Sequence, residues 1–372
     1  MIESNNWYII KHVDQIDTPA LVIYPQRVRE NIRTLKSMID DPKRLRPHVK
    51  THKTKEAVLL MMTEGINKFK CATIAEAEML GMCKAQDVLL AYQPFGPKLK
   101  RFTAVIKQYP DTEYSCLMDN LNSAEHISEI ALKHNITISV FMDMNTGMNR
   151  TGIAPGKKAI KLFEECSRLM GIKMTGLHVY DGQINDSDIQ KRTIACNAAF
   201  EPVAKMKIIL TKRGYDKLRI VAGGSPTFLI HAKRSDVECS PGTFIFWDKG
   251  YQDLLPEQKF LPAALVITRV ISLPDDTKLC LDLGYKSIAS ENDLNRRVYL
   301  LNAPYLKIIS QSEEHLVLEA EKNHSWKIGD IFYGLPIHIC PSCALYDSAT
   351  IVENERIEGS WKIVARDRKI VI

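Results

Sequence analysis

No run of about 18 apolar residues occurs in this 372-residue chain, so a membrane-spanning helix is not expected. The opening stretch, "MIESNNWYIIKHVDQ", has neither a basic segment nor a long apolar one, so an export signal is not expected either. A basic tail and an aromatic-interleaved basic stripe are also missing. Fifty basic residues are spread among 44 acidic ones for a formal charge of +6, a balance that excludes nucleic acid as the default partner yet suits a small anionic ligand. Internal repeats and low-complexity segments are absent, which argues against a solenoid or a disordered tail. No G-x-G-x-x-G follows an early strand, so the open, doubly wound dinucleotide-binding sheet is the weaker of two α/β layouts. The nine cysteines are odd in number, scattered, and lodged in apolar runs such as "KFKCA" and "KLCLDL". They read as small hydrophobes in a reducing, cytoplasmic compartment and not as a disulfide framework.

What the chain does have is a rhythm that changes once. With 45% apolar residues it can bury two cores. The segment after "ALVIY" carries Val28, Ile32, Leu35 and Ile39 at helical spacing. Eight strand candidates then follow: "LRPHV", "FKCAT", "DVLLAY", "YSCLMD", "ITISVFMD", "MTGLHVY", "LRIVAGG" and "VECSPGTF". Helical patterns at 74–84, 122–134, 156–170 and 189–213 separate many of them, as parallel strands require. The expectation is an α/β (β/α)8 TIM-like barrel over residues 13–256. From 257 to 372 strands such as "ALVITRVISL", "IFYGLPIHI" and "WKIVARD" alternate with polar turns, predicting a mainly antiparallel β domain with which residues 1–12 are free to pack.

In such a barrel function collects where the strands end. The stretch "LRPHVKTHKT" puts Lys50 at the end of the first strand, with Lys53 close behind; a merely solubilising basic loop would look the same. The seventh and eighth strands end in "AGGSPT" and "SPGT". There Gly223, Gly224 and Gly242 free backbone N–H groups to approach an anion, and the hydroxyls of Ser225, Thr227 and Thr243 can add bonds. Glycine turns are common without any ligand; their coincidence with the lysine suggests pyridoxal phosphate, held covalently at one end and by its phosphate at the other.

These residues carry a resemblance that spans nearly the whole chain. "DTPALVIYPQRVRENI" (17–32), "RPHVKTHK" (46–53), "TGMNRTG" (146–152), "AGGSPT", "SPGT" and "HICP" (338–341) resemble the fold-type III pyridoxal phosphate enzymes with an alanine racemase-like N-terminal barrel. Within them, the D-threonine aldolase and D-serine dehydratase group is the one that matches. The resemblance implies that Lys50 forms the Schiff base and Lys53 is a supporting or surface charge. It implies that Arg150 approaches the cofactor's ring oxygen or the substrate carboxylate; an ordinary loop ion pair is the alternative. Tyr180, ending "GLHVY", either meets the cofactor or fills the core. "HICP" is the group's metal signature. In an extended strand His338 and Cys340 project on one face, and imidazole with thiolate favours zinc as the divalent ion. Cys343 is left as packing.

The activity implied is a pyridoxal phosphate- and metal-dependent lyase acting on a small-molecule D-3-hydroxy amino acid. Dehydration to a keto acid and ammonia is favoured by Cys340, where the resembling aldolases carry a carboxylate. It is favoured also by Gln183, which stands in "YDGQ" where many relatives have histidine. The alternatives are retro-aldol cleavage to glycine and an aldehyde, amino-acid racemisation, or a non-catalytic pyridoxal phosphate homeostasis protein, which lacks a second domain. A homodimer is also implied.

Overall fold

The computed structural model describes residues 7–372, which separate into two compact units. One comprises Arg33–Lys50, Val58–Gly242 and Asp367–Ile372. The other comprises residues 7–32, Thr51–Ala57 and Thr243–Arg366. All nine cysteines are free. No described helix is long and apolar enough to cross a membrane.

The first unit is built on seven parallel strands in chain order: β2 (Lys68–Cys71), β3 (Asp87–Leu90), β4 (Glu113–Met118), β5 (Ile138–Met144), β6 (Ile172–Val179), β7 (Arg219–Ala222) and β8 (Val237–Cys239). Residues 45–49 close the ring. Leu45 bridges Cys239 of β8 and His48 bridges Lys70 of β2, with Arg46 N–H donating to Cys239 O at 2.8 Å and Val49 N–H to Lys70 O at 2.9 Å. Strands covered on both faces read as continuous apolar runs, and β3 is buried at every position. Leu89, Leu117, Phe141 and Val221 fill the middle, each contributing roughly 1.5–3 kcal/mol by its burial. The crossover Leu121–Lys133 shows why the outer layer is helical. Ala124, Ile127, Ser128 and Ala131 form its buried stripe, and Asn120 Oδ1 caps the first turn by accepting from Ser123 N at 2.9 Å.

At the base of the barrel, fully buried Arg46 donates to both oxygens of Asp87 at 2.7 and 2.8 Å and to Glu238 at 2.7 Å. Arg219 and Lys68 complete the network on the same two carboxylates. Because an unpaired buried charge costs about 3–5 kcal/mol, this cluster pins the 45–49 stave and so the position of Lys50.

The second unit is a nine-stranded sheet. It contains β1 (Ala20–Ile23), β9 (Ala264–Asp275), β10 (Lys278–Leu281), β11 (Val298–Leu300), β12 (Lys307–Gln311), β13 (Leu316–Glu319), β14 (Ile331–Pro336), β15 (Ser348–Glu353) and β16 (Arg356–Lys362). Its order is β12-β13-β10-β9-β1-β15-β16, with β14 joining β9 to β11, and every pair is antiparallel except β1 with β15.

Two sequence expectations need correction here. Residues 13–32 were expected in the barrel, yet β1 lies in this sheet, because its apolar "ALVI" finds hydrogen-bonding partners on both sides at residues 264–267 and 350–351. "WKIVARD" was expected to be a strand, but only its first two residues belong to β16. Of residues 1–12, 1–6 lie outside the described residues; Trp7, Tyr8 and Ile10 pack with Tyr24, Leu265 and Tyr333.

Candidate active site and metal pair

A cavity of about 370 Å³ opens within the barrel unit, lined by residues at or near the C-terminal ends of the 45–49 stave and of strands β2, β3, β5 and β6. Lys50, Arg150 and Tyr180 all line it, so three residues expected from sequence are brought together. Lys50 is exposed to the cavity at the end of its stave. Lys53 belongs to the other unit, where its left-handed backbone (φ 55°) presents a carbonyl that accepts from Ala365 N at 3.1 Å.

Arg150 is delivered by a tightly folded loop. Asn145 Oδ1 accepts from Gly147 N and Asn149 N, both at 3.1 Å, and Gly152 N donates to Asp119 Oδ2 at 2.9 Å. Gly152, at φ 96°, could not carry a side chain: a Cβ would come 2.8 Å from Asn145 N. The guanidinium carbon lies 4.9 Å from the Tyr180 ring centroid, a cation–π distance.

Sequence reasoning missed His48, Lys70, Gln93, Thr151 and His178, which line the same cavity. Strand alternation could have found two of them, since His48 stands two residues before Lys50 and His178 two before Tyr180. His178 Nδ1–H donates to Asp143 Oδ1 at 2.8 Å, and Asp143 Oδ2 accepts from Thr151 at 2.7 Å and Gln93 at 2.9 Å. Burial holds the His178 imidazole below its ordinary pKa, although Asp143 opposes this. Its Nε2 is buried without a protein partner, so the cavity contains an orphaned polar atom awaiting a ligand. Lys70 is almost completely buried. Burial first, then the charge of Lys50, lowers its amine to about 7 against the opposing pull of Asp181 and Asp143.

The glycine loop after β7 is braced from below. Thr227 donates its hydroxyl to Asp181 Oδ1 at 2.8 Å, while Asp181 Oδ2 faces His231 Nε2 at 2.8 Å. Thr227 was expected to bond an anion directly; its proton is instead committed to shaping the loop. Buried Ser225 and Gly242 also belong to the barrel unit, whereas Thr243 begins the second unit with Oγ1 3.8 Å from Cys340 Sγ.

Asp181, Cys196 and His231 place one donor atom each within 4.8 Å of one another, a spacing that could hold a metal ion. Their bonding points elsewhere. Arg234 donates to His231 Nδ1 at 2.9 Å, so Nε2 carries the ring proton toward Asp181 and offers no lone pair. Burial, reinforced by Asp181, pushes the Cys196 thiol up to about 12. We read the cluster as the brace of the glycine loop.

Gly223 and Gly224 make this loop testable. Gly223 has φ 76°, and a Cβ there would lie 2.8 Å from His231 Cδ2 and 2.9 Å from Thr227 Oγ1, so Gly223→Ala should destabilise by about 1–2 kcal/mol or more. At Gly224 a Cβ meets Tyr180 Cε2 at 3.5 Å and Pro226 Cδ at 3.9 Å, both ordinary contacts. Gly224→Asp should therefore fold normally but raise the cofactor dissociation constant roughly tenfold or more, since one like charge costs about 1.4 kcal/mol or more near an anion. A cofactor titration identical to wild type would remove the loop from the site.

The second unit holds His338 and Cys340, but not on a strand: β14 stops at Pro336. His338 is the extended N-cap and Cys340 lies in the first turn of the helix Ile339–Leu345, where Pro341 needs no hydrogen-bonding N–H. The expected i, i+2 strand geometry is thus replaced by a cap-to-helix turn, in which Cys340 still acts on the imidazole electrostatically. Glu291 takes the other side of the ring, hydrogen-bonded to His338 Nδ1. Burial opposes a proton on this imidazole, but Cys340 and Glu291 prevail and raise its pKa to about 9. Buried Asp248 anchors the turn by accepting from Ile339 N at 3.0 Å and Tyr251 N at 2.9 Å, and burial raises its carboxyl to about 6. Thr51 Oγ1, in the residue after Lys50, lies 3.2 Å from Cys340 Sγ. Imidazole, thiol and a carboxylate behind the ring are a donor set suited to zinc. Cys343 is fully buried, its thiol pushed far up by desolvation, in keeping with packing.

A closed parallel barrel with a lysine and an orphaned imidazole in its cavity, joined to a β-rich segment, defines a class of protein, and comparison gives the class a family. Residues 23–249 match the alanine racemase N-terminal domain family and residues 263–352 the D-serine dehydratase domain. The chain belongs to the alanine racemase N-terminal domain family. More narrowly, it falls among the pyridoxal phosphate-dependent lyases of the D-serine dehydratase and D-threonine aldolase group, whose members use pyridoxal phosphate and a divalent metal. It is 24% identical over 358 residues to D-threonine aldolase of Arthrobacter sp., covering 95% of this chain and 93% of that one. It is 23% identical to D-threo-3-hydroxyaspartate dehydratase of Delftia sp. (strain HT23), covering 93% and 97%. The crystal structure of D-threonine aldolase from Filomicrobium marinum superposes with a TM-score of 0.86 over 96% of each chain at 24% identity.

Proposed function

We propose that the chain eliminates water from a D-3-hydroxy amino acid, as a D-serine dehydratase does, releasing a keto acid and ammonia. The observation that carries this reading is the donor set of one helix turn, the His338 imidazole at the N-cap with Glu291 on its Nδ1 and the Cys340 thiol two residues on, suited to a Lewis-acid ion. In this reading residues 33–256 hold the cofactor and 257–372 the metal. Lys50 carries the cofactor; Gly223, Gly224, Ser225, Gly242 and Thr243 receive its phosphate, with Thr227 shaping the loop, and Arg150 and Tyr180 orient its ring or the substrate carboxylate. Bound pyridoxal phosphate supplies the sink for the electron pair left at Cα. Lys50, once released, takes the Cα proton. His338 and Cys340 hold the ion, zinc by donor type, that makes the β-oxygen able to leave.

A retro-aldol reading draws support from the likeness to D-threonine aldolase. Against it stands Gln183, whose amide donates to Thr146 O at 3.0 Å and which is no base. The β-rich second unit argues against a barrel-only homeostasis protein, and the metal pair against a simple racemase. The scattered cysteines in apolar runs support a cytoplasmic location, and the family resemblance a homodimer. Incubation with D-serine, D-threonine and D-3-hydroxyaspartate decides between the reactions. Keto acid with ammonia is expected; glycine with an aldehyde would replace dehydration by cleavage.

A further inference from the structure

The cavity contains a second amine for which the reading above has no task. Lys70 sits on β2, directly paired with the stave that carries Lys50: Val49 N–H donates to Lys70 O and Lys70 N–H to Pro47 O, both at 2.9 Å. Both lysine side chains line the same cavity, and Lys70 Nζ comes 5.8 Å from the centre of the Tyr180 ring. A lysine only 2% exposed is a costly thing to bury, and among the described residues Lys70 has no carboxylate salt bridge like those that hold Arg46 and Lys68. It was invisible as a site residue because "FKCAT" reads as an ordinary strand.

A D-amino acid arrives as an ammonium ion, and its nitrogen has no lone pair with which to replace Lys50 on the cofactor. One proton must leave first. We propose that Lys70 is the base for this step, its Nζ taking the proton from the ammonium of the arriving D-amino acid. The inference rests on Lys50 being the cofactor lysine. The step balances: the substrate ammonium becomes an amine, the Lys70 amine becomes an ammonium, and Lys50 leaves as a neutral amine. A cation then held at Lys70 opposes a second one at Lys50, which stays neutral and able to take the Cα proton.

The surroundings suit this cycling. Burial and Arg46 disfavour a charge on Lys70, as Lys50 does while its amine is free, whereas Asp143 of β5 and Asp181 beyond β6 favour it. The opposing charges leave the amine near neutrality, where a base both accepts and returns a proton. His178, also coupled to Lys70, is held below its ordinary value by burial and is the poorer base.

The test uses cofactor-loaded holoenzyme and D-alanine, which has no β-hydroxyl and so reports replacement of Lys50 without any lyase step. The change in the visible cofactor spectrum on mixing is followed from about pH 6 to pH 9. Lys70→Met should slow it about 100-fold near neutrality. The deficit should shrink as pH rises and D-alanine arrives already deprotonated. Lys70→Arg, which keeps a buried cation but cannot act as a base, should be equally slow. Wild-type rates in either variant would overturn the proposal. So would a slowing that is the same at every pH, or folded variants that fail to colour with cofactor, each of which makes Lys70 a structural or cofactor-holding group. Failure of the lyase reading would show separately, as normal D-alanine kinetics without keto acid from any D-3-hydroxy amino acid.

Discussion

Lys50→Ala protein is expected to be colourless with pyridoxal phosphate and to lose more than about 10⁴-fold in turnover, because in the proposed reading one substitution removes the covalent anchor and a general base together. Lys53→Ala should keep both colour and activity. The two lysines stand three residues apart in one basic stretch, yet the structure treats them differently. Lys50 lines the barrel cavity, whereas Lys53 lies in the second unit with its backbone bonded to Ala365. Absorbance and turnover of the two purified variants read the difference directly. A reversed pattern would put the cofactor on the wrong lysine in this account. A Lys50→Ala protein that stayed coloured would point to Lys70 as the amine in reach.

That contrast also shows what the sequence makes legible. The barrel staves could be read because most are short, largely apolar runs and many are followed by a helical period, a local signal. Lys50 could be read because it ends one of these runs. β1 could not be placed, since what decides its sheet is a partner at Ile351, some 330 residues away, and "ALVI" would suit either core. The same non-locality hid Glu291, which reaches His338 from 47 residues upstream, and Asp248, which reaches Ile339 across 91. Pairwise bonds between distant segments leave no periodicity to detect.

The site shows a second kind of illegibility. His178 and Lys70 are polar residues inside strands that otherwise look like core, and a polar residue in an apolar run reads as an edge or an accident until its neighbours are known. Thr227 was legible as part of a glycine loop, but its hydroxyl had two possible acceptors, an anion above or a carboxylate below. Only the position of Asp181 settles that it supports the loop. At "HICP" the residue types are legible but the local geometry is not. Pro341 ends the possibility of a strand, and an N-cap turn replaces it, with His338 at the cap and Cys340 in the first turn.

Removing the metal is therefore expected to stop lyase turnover without unfolding the protein. The pair sits at the mouth of a short helix whose anchorage does not depend on an ion: Asp248 accepts two backbone N–H groups, and Ser342 Oγ donates to His338 O at 2.9 Å. The fold rests instead on apolar packing such as the Leu265, Tyr333 and Leu335 cluster, unlike small zinc modules in which metal binding is the folding energy. Chelation should abolish product formation from a D-3-hydroxy amino acid, since a Lewis acid supplies several kcal/mol to departure of a hydroxyl. The yellow colour and most of the thermal stability should persist. Cys340→Ala should lose at least about 100-fold in turnover for the same reason, with bound zinc falling in parallel. If Lys50 takes the Cα proton independently of the ion, as the proposed reading has it, chelated enzyme in heavy water should still exchange that proton for deuterium, only the hydroxyl remaining in place. Unchanged turnover by fully metal-free protein would deny the ion its part in the reaction, and global unfolding on chelation would make it structural.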